Sequence, residues 1–220
     1  MARKPSSKTV SRPVGSKSGK VVSIGQAGRQ SLRIIGGEWR GRKIPFATVA
    51  GLRPTQDRVR ETLFNWISGP VAAAHCLDLF AGTGALGLEA LSRGAKHVTF
   101  VDLSNVATNT LRDNLKQLPL APDQSCAVQQ KSGFDWLRNH SSANAEQSAQ
   151  QFDLVFLDPP FALSLMQDVL EVLFSSDCLA PKAMIYVEQP QPLTQLELPD
   201  GWQLHRNKKA GQVHYGLISR

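Results

Sequence analysis

Short apolar runs alternate with stretches of helical period over most of the chain. Apolar positions spaced three or four residues apart predict helices at 85–93, 104–118 and 163–174. The runs predict strands that end before Gly82 and Asp158, and further strands at 96–101, 126–130, 183–187, 202–206 and 213–218. Alternation in this order predicts an α/β protein with a doubly wound, mostly parallel sheet, whose last two strands form an antiparallel hairpin joined at 208–211.

Two segments lack such a pattern. Residues 1–31 are rich in Ser, Gly, Lys and Arg and hold almost no core-forming side chains, which predicts a disordered basic tail. Residues 139–151 are polar without a period and predict a mobile loop. No apolar run approaches the length of a membrane span, and the basic N-terminus lacks the apolar stretch of a signal peptide. The sequence therefore predicts a cytoplasmic protein.

A small N-terminal element is predicted over 32–70, ahead of the main domain at 71–220. Its pattern predicts two short strands, at 32–35 and 43–46. A helix follows, with Thr55 as its N-cap. The buried face of this helix is formed by residues at helical spacing, Val59, Leu63, Trp66 and Ile67. Arg58 and Arg60 are expected to point away from that face.

Charge is distributed unevenly. Residues 1–60 carry 14 Lys or Arg against two acidic residues, a balance of +12, whereas residues 61–220 carry 11 against 16, a balance of −5. Basic charge at one end of a mildly acidic domain is typical of a phosphate-binding arm. The three cysteines are widely spaced and are expected to be reduced core residues, and the five histidines show no metal-ligand spacing, so we predict no metal.

One apolar run ends in a glycine turn at Gly82, Gly84 and Gly87. These glycines let the backbone turn sharply and approach a ligand without a Cβ in the way. The spacing fits a dinucleotide pyrophosphate as well as an adenosyl cofactor. Asp78, four residues before the first glycine, would repel a pyrophosphate and attract the ammonium of a methionine-like cofactor. We therefore favour S-adenosyl-L-methionine over NAD, and over a tight turn that binds nothing.

Asp102 follows the predicted strand at 96–101, twenty residues after the first glycine. A carboxylate at that strand end can accept both hydroxyl protons of a ribose. Because NAD and S-adenosyl-L-methionine share this requirement, Asp102 indicates a nucleoside without choosing between them. Its alternative role is to precede a helix cap at Ser104.

The tetrapeptide Asp158-Pro159-Pro160-Phe161 indicates the chemistry. Two prolines fix an extended turn without N–H donors, so the Asp158 carboxylate and the Pro159 carbonyl can both accept from one amino group. Two acceptors favour a pyramidal nitrogen whose lone pair can face a sulfonium methyl, and Phe161 can stack on the base. The alternative is a Pro-Pro stop after a core strand, with Phe161 in the core.

The two motifs together resemble those of amino-group methyltransferases. The N-terminal segments 32–44 and 51–66, and 210–213 near the C-terminus, closely resemble the RsmD family of small-subunit ribosomal RNA guanine-N2 methyltransferases, and the similarity extends from about residue 32 to the end. The segment at Lys131, Ser132 and Gly133 lacks the acidic residue that many such enzymes place near the adenine amine. Ser132 or a backbone carbonyl can substitute for it.

The resemblance implies a Rossmann-like methyltransferase that methylates the exocyclic N2 of a guanine in small-subunit ribosomal RNA, within an assembled or partly assembled subunit; we expect a monomer. The expected cofactor residues are Asp78, Phe80, Ala81, Gly82, Thr83, Gly84, Gly87, Asp102, Leu103 and Ser132. The expected catalytic residues are Asp158, Pro159, Pro160 and Phe161. The expected RNA contacts are Arg33, Arg40, Arg42, Lys43, Arg53, Arg58 and Arg60.

Two rival functions remain open. Adenine N6 or cytosine N4 of DNA, or the amide of a protein glutamine, also presents a planar amino group to such a site. A non-catalytic RNA-binding or assembly factor can keep the same fold, although the intact glycine turn and the tetrapeptide at 158–161 argue against it.

Overall fold

The computed structural model describes residues 30–46, 56–141, 150–161 and 165–220. The first two strands, β1 (Gln30–Arg33) and β2 (Lys43–Phe46), form an antiparallel hairpin. The other strands are β3 (His75–Asp78), β4 (His97–Asp102), β5 (Ser125–Gln130), β6 (Phe152–Leu157), β7 (Leu179–Gln189), β8 (Gln203–Ala210) and β9 (Val213–Ser219). In the described ranges these seven form one sheet in the order β5-β4-β3-β6-β7-β9-β8.

Five strands of this sheet run parallel and two close it antiparallel. β3 pairs in parallel with both β4 and β6, so the chain order reverses at β3. The C-terminal strands β9 and β8 pair antiparallel, β9 with β7 and the two with each other. The parallel strands therefore all end at one edge, which we call the carboxyl edge, and a reversal of strand order is where such sheets open a ligand crevice. The predicted fold class is confirmed.

Five α-helices of the described ranges cover the two faces, and a short 3-10 helix spans Leu193–Gln195. They are α1 (Asp57–Trp66), α2 (Ala85–Ser92), α3 (Asn105–Leu115), α4 (Gly133–Ser141) and α5 (Met166–Phe174). One apolar cluster joins the β1–β2 hairpin, α1, α2 and α3 to the sheet, for example through Phe64 and Phe156, and a second joins α4 and α5 to the opposite face. No helix in the described part of the chain is long and apolar enough to cross a bilayer.

Several predicted boundaries differ from the structure. β1 ends at Arg33 rather than at residue 35, because the amides of Ile35 and Gly36 donate to a side chain instead of to β2. Helix α1 begins at Asp57 with Gln56 as its N-cap, and Thr55 lies outside the described residues. Strand β7 extends beyond the predicted 183–187 at both ends, since it pairs with β6 on one side and β9 on the other.

Helix α4 was not predicted. The expectation of a loop over 139–151 is wrong for residues up to Ser141, which are helical, and residues 142–149 lie outside the described residues. The Ser132 hydroxyl accepts from the Asp135 amide at 3.2 Å and so starts the helix, while Leu137 is fully buried against the sheet. Phe134 and Leu137 stand at helical spacing and Asp135 lies in the first turn, so the signal for this helix was present in the sequence and was overlooked.

A buried carboxylate fixes the N-terminal element to the domain. Glu89 of α2 is fully buried and accepts from the backbone amides of Ile35 at 2.8 Å and Gly36 at 2.7 Å. The Arg93 Nε donates to it at 2.7 Å, and Arg60 Nη1 lies 3.7 Å from its Oε2. Two amides and two guanidinium groups thus converge on one anion, an arrangement that offsets the cost of burying the charge.

The expectation that Arg60 points outward to bind RNA is wrong. Its side chain is fully buried, and Nη2 donates to the Arg33 carbonyl at 2.8 Å and to the Asp57 carboxylate at 2.7 Å. The guanidinium therefore links β1, α1 and α2 instead of meeting solvent. Arg58 on the same helix is exposed, as expected.

The turn of the β1–β2 hairpin lies at the opposite edge of the sheet. The Glu38 amide donates to the carbonyl of Ser92, the last residue of α2, at 2.7 Å. Trp39 is buried there; its amide donates to the Ser92 hydroxyl and its Nε1 to the Pro119 carbonyl. Since α2 starts at the carboxyl edge and is about 12 Å long, this turn sits at the edge where the parallel strands begin.

We expect Glu89→Ala to lower the free energy of unfolding by about 3 to 5 kcal/mol, because it leaves two arginines and two amides without their buried acceptor. Urea titration followed by circular dichroism measures this. Asp113→Ala is the matched control, since it removes an exposed ion pair with Lys116 and should change stability by less than about 0.5 kcal/mol. Equal effects of the two variants would show that the Glu89 cluster is not a stabilising anchor.

Candidate active site

The glycine turn connects β3 to α2 at the carboxyl edge. Gly82 has φ +52° and Gly84 has φ +78°, conformations that side chains with a Cβ rarely adopt. A Cβ on Gly84 would also lie 2.6 Å from Leu111 Cδ1. The Gly84 amide donates to the Ala81 carbonyl at 2.7 Å and its carbonyl starts α2 by accepting from Leu88. The expected sharp turn is present and leads straight into a helix N-terminus.

Gly87 serves packing and not the turn. It lies inside α2, and a Cβ there would be 2.2 Å from the Phe100 ring on β4. The reason predicted for this glycine, close approach of a ligand, is therefore wrong; the helix must approach the sheet closely at this point. Its amide has a second task, since it donates to Asp78 Oδ2 at 3.0 Å.

Asp78 is the last residue of β3 and is 3% exposed. Burial raises the pKa of Asp78 to about 7, with the hydrogen bond from Gly87 opposing the rise and the negative charge of Asp102 adding to it. An ammonium group placed beside Asp78 would lower the pKa of its carboxyl group and pair with the carboxylate, because a nearby cation favours the ionised form.

Asp102 ends β4 and is held by two backbone amides. Its Oδ2 accepts from Gly82 at 2.8 Å and its Oδ1 from Ser104 at 2.7 Å. Each oxygen keeps a further lone pair, so the carboxylate can still accept two hydroxyl protons. The alternative role is also real, since the Ser104 hydroxyl caps α3 by accepting from Ala107 at 3.3 Å.

Two apolar side chains beside Asp102 are exposed to solvent. Leu103 is 71% exposed and Val106, in the first turn of α3, is 53% exposed. The end of β5 adjoins them, since the Lys131 amide donates to the Asp102 carbonyl at 3.1 Å, and half-buried Ser132 follows. This part of the carboxyl edge combines two carboxylate acceptors, which suit ribose hydroxyls, with an exposed apolar surface, which suits a base. The combination is suited to a nucleoside.

The tetrapeptide at 158–161 directly follows β6. Asp158 is half-buried, Pro159 buried and Pro160 exposed. Phe161 is 39% exposed, so the alternative that placed it in the core is wrong. A groove beside it is lined by Pro159, Pro160, Phe161, Leu165, Met166, Gln189, Pro190 and Gln191.

The tetrapeptide and the glycine turn lie next to each other. The Leu79 amide donates to the Phe156 carbonyl at 3.2 Å, so the two segments follow neighbouring strands.

The predicted RNA contacts are not gathered at this edge. Arg40 and Arg42 are exposed, but they flank the hairpin turn at the opposite edge of the sheet. Arg33 and Lys43 are exposed and face each other across the hairpin. Arg53 lies outside the described residues.

Sequence reasoning missed two features beside the tetrapeptide. The first is a buried pair on β7, in which the Tyr186 hydroxyl donates to Glu188 Oε2 at 2.8 Å. The second is the position of the predicted β8–β9 hairpin: its turn lies at 211–212 and not at 208–211, and it projects beyond the carboxyl edge because Gln189, the last residue of β7, already pairs with His214. Exposed Lys208 and Lys209 approach this turn, and Lys208 Nζ lies 5.7 Å from the Trp66 ring centroid. Both features depend on strand pairing, which local pattern does not reveal.

The cysteines belong to the packing and not to the site. Cys76 and Cys178 are buried, and all three are free thiols. Burial raises the pKa of Cys178 to about 11, which keeps it protonated. Within the described ranges no three His, Cys, Asp or Glu side chains are arranged to hold a metal ion.

Known proteins resemble this chain over most of its length. The family model described as conserved hypothetical protein 95 matches residues 32–219. Ribosomal RNA small subunit methyltransferase D of Haemophilus influenzae is 44% identical over 84% of this chain and 92% of its own length. The structure of yhhF from Escherichia coli is 40% identical and superposes with a TM-score of 0.72, over 87% of this chain and 98% of that one.

A more distant structure shares the fold. The 16S rRNA N2 G1207 methyltransferase RsmC of Thermus thermophilus, in complex with AdoMet and guanosine, is 18% identical, with a TM-score of 0.59 over 87% of this chain and 50% of that one. The family match over almost the whole described domain and the close relatives confirm the resemblance noted in the motifs. The chain belongs to the RsmD family of methyltransferases, the family described as conserved hypothetical protein 95.

Proposed function

We propose that this chain transfers the methyl group of S-adenosyl-L-methionine to the exocyclic N2 of one guanine in small-subunit ribosomal RNA. One observation carries the proposal: the glycine turn after β3 and the tetrapeptide after β6 leave adjacent parallel strands at the same edge. A cofactor site and an amino-group site therefore lie side by side. The relatives named ribosomal RNA small subunit methyltransferase D support the choice of substrate.

The residues at this edge fit the cofactor. Asp102 retains lone pairs for the ribose hydroxyls, and Leu103 offers an exposed apolar surface for the adenine ring, with Ser132 beside it. The buried Asp78 carboxyl group would pair with the ammonium of the methionine part. Backbone at Gly82 to Gly84, with Phe80, Ala81 and Thr83, forms the wall between these two ends. When bound, the cofactor supplies an electrophilic sulfonium methyl.

The tetrapeptide orients the amine for attack. Asp158 and the Pro159 carbonyl accept the amine protons, so the nitrogen lone pair turns toward the methyl position, and exposed Phe161 stacks on the base. Direct in-line displacement needs no covalent enzyme intermediate, so these residues act by positioning. The amine proton becomes acidic only after methylation, and Asp158 therefore need not be a strong base.

Two basic surfaces bind the RNA in this proposal. Lys208 and Lys209 at the carboxyl edge contact phosphates next to the target, while Arg33, Arg40, Arg42, Lys43 and Arg58 contact more distant ones, together with Arg53 and the tail at 1–31. So wide a spread of charge suits a large substrate, an assembled or partly assembled subunit. In the proposed division, 32–70 serves RNA binding and 71–220 catalysis, in a monomer that acts in the cytoplasm.

A methyl-transfer assay tests the function. Small subunits from a strain lacking this protein should accept one labelled methyl group per particle from the purified chain, and nuclease digestion should recover it as N2-methylguanosine. Label in adenine or cytosine of DNA, or in protein, would replace this proposal with a rival. Cofactor binding by calorimetry without transfer to any of these would favour a non-catalytic assembly factor.

Asp158→Ala should lower the transfer rate roughly a hundredfold, because a positioned acceptor in such a site contributes about 3 kcal/mol to the transition state. The dissociation constant for S-adenosyl-L-methionine should stay within about twofold of the parent, because Asp158 serves the amine. Single-turnover transfer and calorimetry measure the two quantities. Normal transfer by the variant would remove Asp158 from the mechanism.

Asp102→Ala should weaken cofactor binding by about tenfold or more, as the ribose loses charge-assisted hydrogen bonds. Leu103→Ala should weaken it by a smaller factor, through loss of apolar contact alone. Calorimetry with S-adenosylhomocysteine compares both with Leu198→Ala, a partly buried position packed against the second apolar cluster. An unchanged dissociation constant in Asp102→Ala would show that Asp102 does not bind the ribose and only accepts hydrogen bonds from the backbone amides of Gly82 and Ser104.

Replacing Lys208 and Lys209 by Ala should reduce the slope of log affinity against log salt by about 0.7 to 0.9 for each lost phosphate contact. The effect should be seen with a short RNA hairpin that carries the target guanine as well as with whole small subunits. The charge-matched pair Arg40→Ala with Arg42→Ala should weaken binding to whole subunits only. An unchanged slope for the lysine pair on the short RNA would show that the β8–β9 turn does not contact it.

A further inference from the structure

Glu188 is the residue beside Asp158 on the neighbouring strand. β6 and β7 pair with Leu157 opposite Val187, so Asp158, just beyond β6, and Glu188, in β7, come next in that register, and the charges of both act on Tyr186. Neighbouring strands are about 4.8 Å apart, and residues in register present their side chains to the same face. Glu188 thus places a second carboxyl group next to the one assigned to the target amine.

The Glu188 carboxyl group is enclosed without a cation. It is 5% exposed, and none of the ion pairs among the described residues includes it. Its Oε2 accepts from Tyr186 at 2.8 Å, and no described residue donates to its Oε1, which is not among the fully buried atoms that lack a partner. Burial of a carboxyl group without a cationic partner costs stability, and such groups are often found at functional sites.

Tyr186 holds Glu188 in one orientation. Burial and the charges of Glu188 and Asp158 raise the pKa of Tyr186 well above its usual value, so its hydroxyl stays protonated and donates. Burial also raises the pKa of Glu188 to about 7, while the Tyr186 hydrogen bond works against that rise. A hydrogen-bond donor brought to Oε1 would therefore complete the set of partners and stabilise the anion.

We propose that Glu188 and Asp158 form a two-carboxylate subsite for the Watson–Crick edge of guanine, in which Glu188 Oε1 accepts from N1–H while Asp158 accepts from the N2 amine. This inference rests on the proposed function and adds the basis of base selection. Guanine presents N1–H and N2–H donors side by side. Adenine and cytosine present a ring-nitrogen acceptor beside their amino group, and a carboxylate repels that acceptor. Glu188 thus selects guanine over the other two bases that carry an exocyclic amine.

The discriminating substrate is 2-aminopurine. It keeps the reactive N2 amine but has an unprotonated N1 and lacks O6, so the Glu188 variants are needed to assign the difference from guanine to N1. Once the methylated position has been mapped, two ligated RNAs that carry guanine or 2-aminopurine there can be assembled into small subunits. The ratio of kcat/KM for the two particles measures how strongly the enzyme requires N1–H.

For the parent enzyme we expect guanine to be preferred by about a hundredfold, since a site built to bond a donor rejects an analogue that lacks it. Glu188→Met keeps the side-chain length and removes the acceptor; it should lower kcat/KM for guanine about tenfold to a hundredfold and bring the ratio close to one. Glu188→Asp should recover part of the preference. Cofactor affinity should stay within about twofold of the parent in both variants, because Glu188 lies on the amine side of the site.

Two controls separate base reading from general damage. Tyr186→Phe leaves the carboxylate in place, so it should reduce the rate yet keep most of the preference for guanine. Glu171→Met makes the same substitution at an exposed position on α5 and should change neither rate nor ratio. Thermal unfolding checks that all variants remain folded.

The outcomes distinguish this inference from the function it rests on. Absence of N2-methylguanosine with the parent enzyme would overturn the proposed function. Guanine methylation by the parent combined with an unchanged ratio in Glu188→Met would overturn only the role of Glu188. A ratio that falls equally in Tyr186→Phe and Glu188→Met, with equal loss of thermal stability, would also overturn it, because the effect would then be structural.

Discussion

The parallel pairing of β3 with both β4 and β6 is the constraint on which the site depends. It brings the ends of these strands to one edge, so acidic residues far apart in sequence end strands that are immediate neighbours. Asp78, Asp102 and Asp158 occupy three such ends, and pairing of β6 with β7 adds Glu188. These carboxylates lie close together because the strand ends converge, and the backbone amides of Gly82 and Gly87 offset part of their repulsion.

Much of this arrangement was predictable because its signals are local. The glycine turn and the proline-rich tetrapeptide each occupy a few consecutive residues, and an apolar run before each identifies the strand. Arg60 was wrongly predicted to bind RNA because its partner, Glu89, comes 29 positions later in the sequence. The helical pattern around Arg60 does not show that it packs against a buried carboxylate. Glu188 was missed for a similar reason: a single carboxylate at the end of an apolar run acquires meaning only when the neighbouring strands are known.

The N-terminal element shows how a charge-rich segment is made part of a core. The β1–β2 hairpin has too few apolar residues to fold alone, and Leu32, Trp39 and Ile44 are buried only because α2 and α3 complete their surroundings. Polar contacts fix its register, since Asn114 on α3 donates to the Pro45 carbonyl at 2.8 Å. The element is therefore positioned in part by α2, the helix that follows the glycine turn, and its exposed arginines lie on a base that is packed against the domain.

The place of β8 at the edge of the sheet has a consequence for solubility. An edge strand exposes unpaired amides and carbonyls that invite a strand from another molecule, and charged side chains, lysine above all, discourage that pairing. Five consecutive residues of β8, from His205 to Lys209, are exposed, and three of them are Arg or Lys. The lysines proposed to hold RNA thus also discourage edge-to-edge pairing of the free protein, and replacing them with uncharged residues would raise its tendency to aggregate.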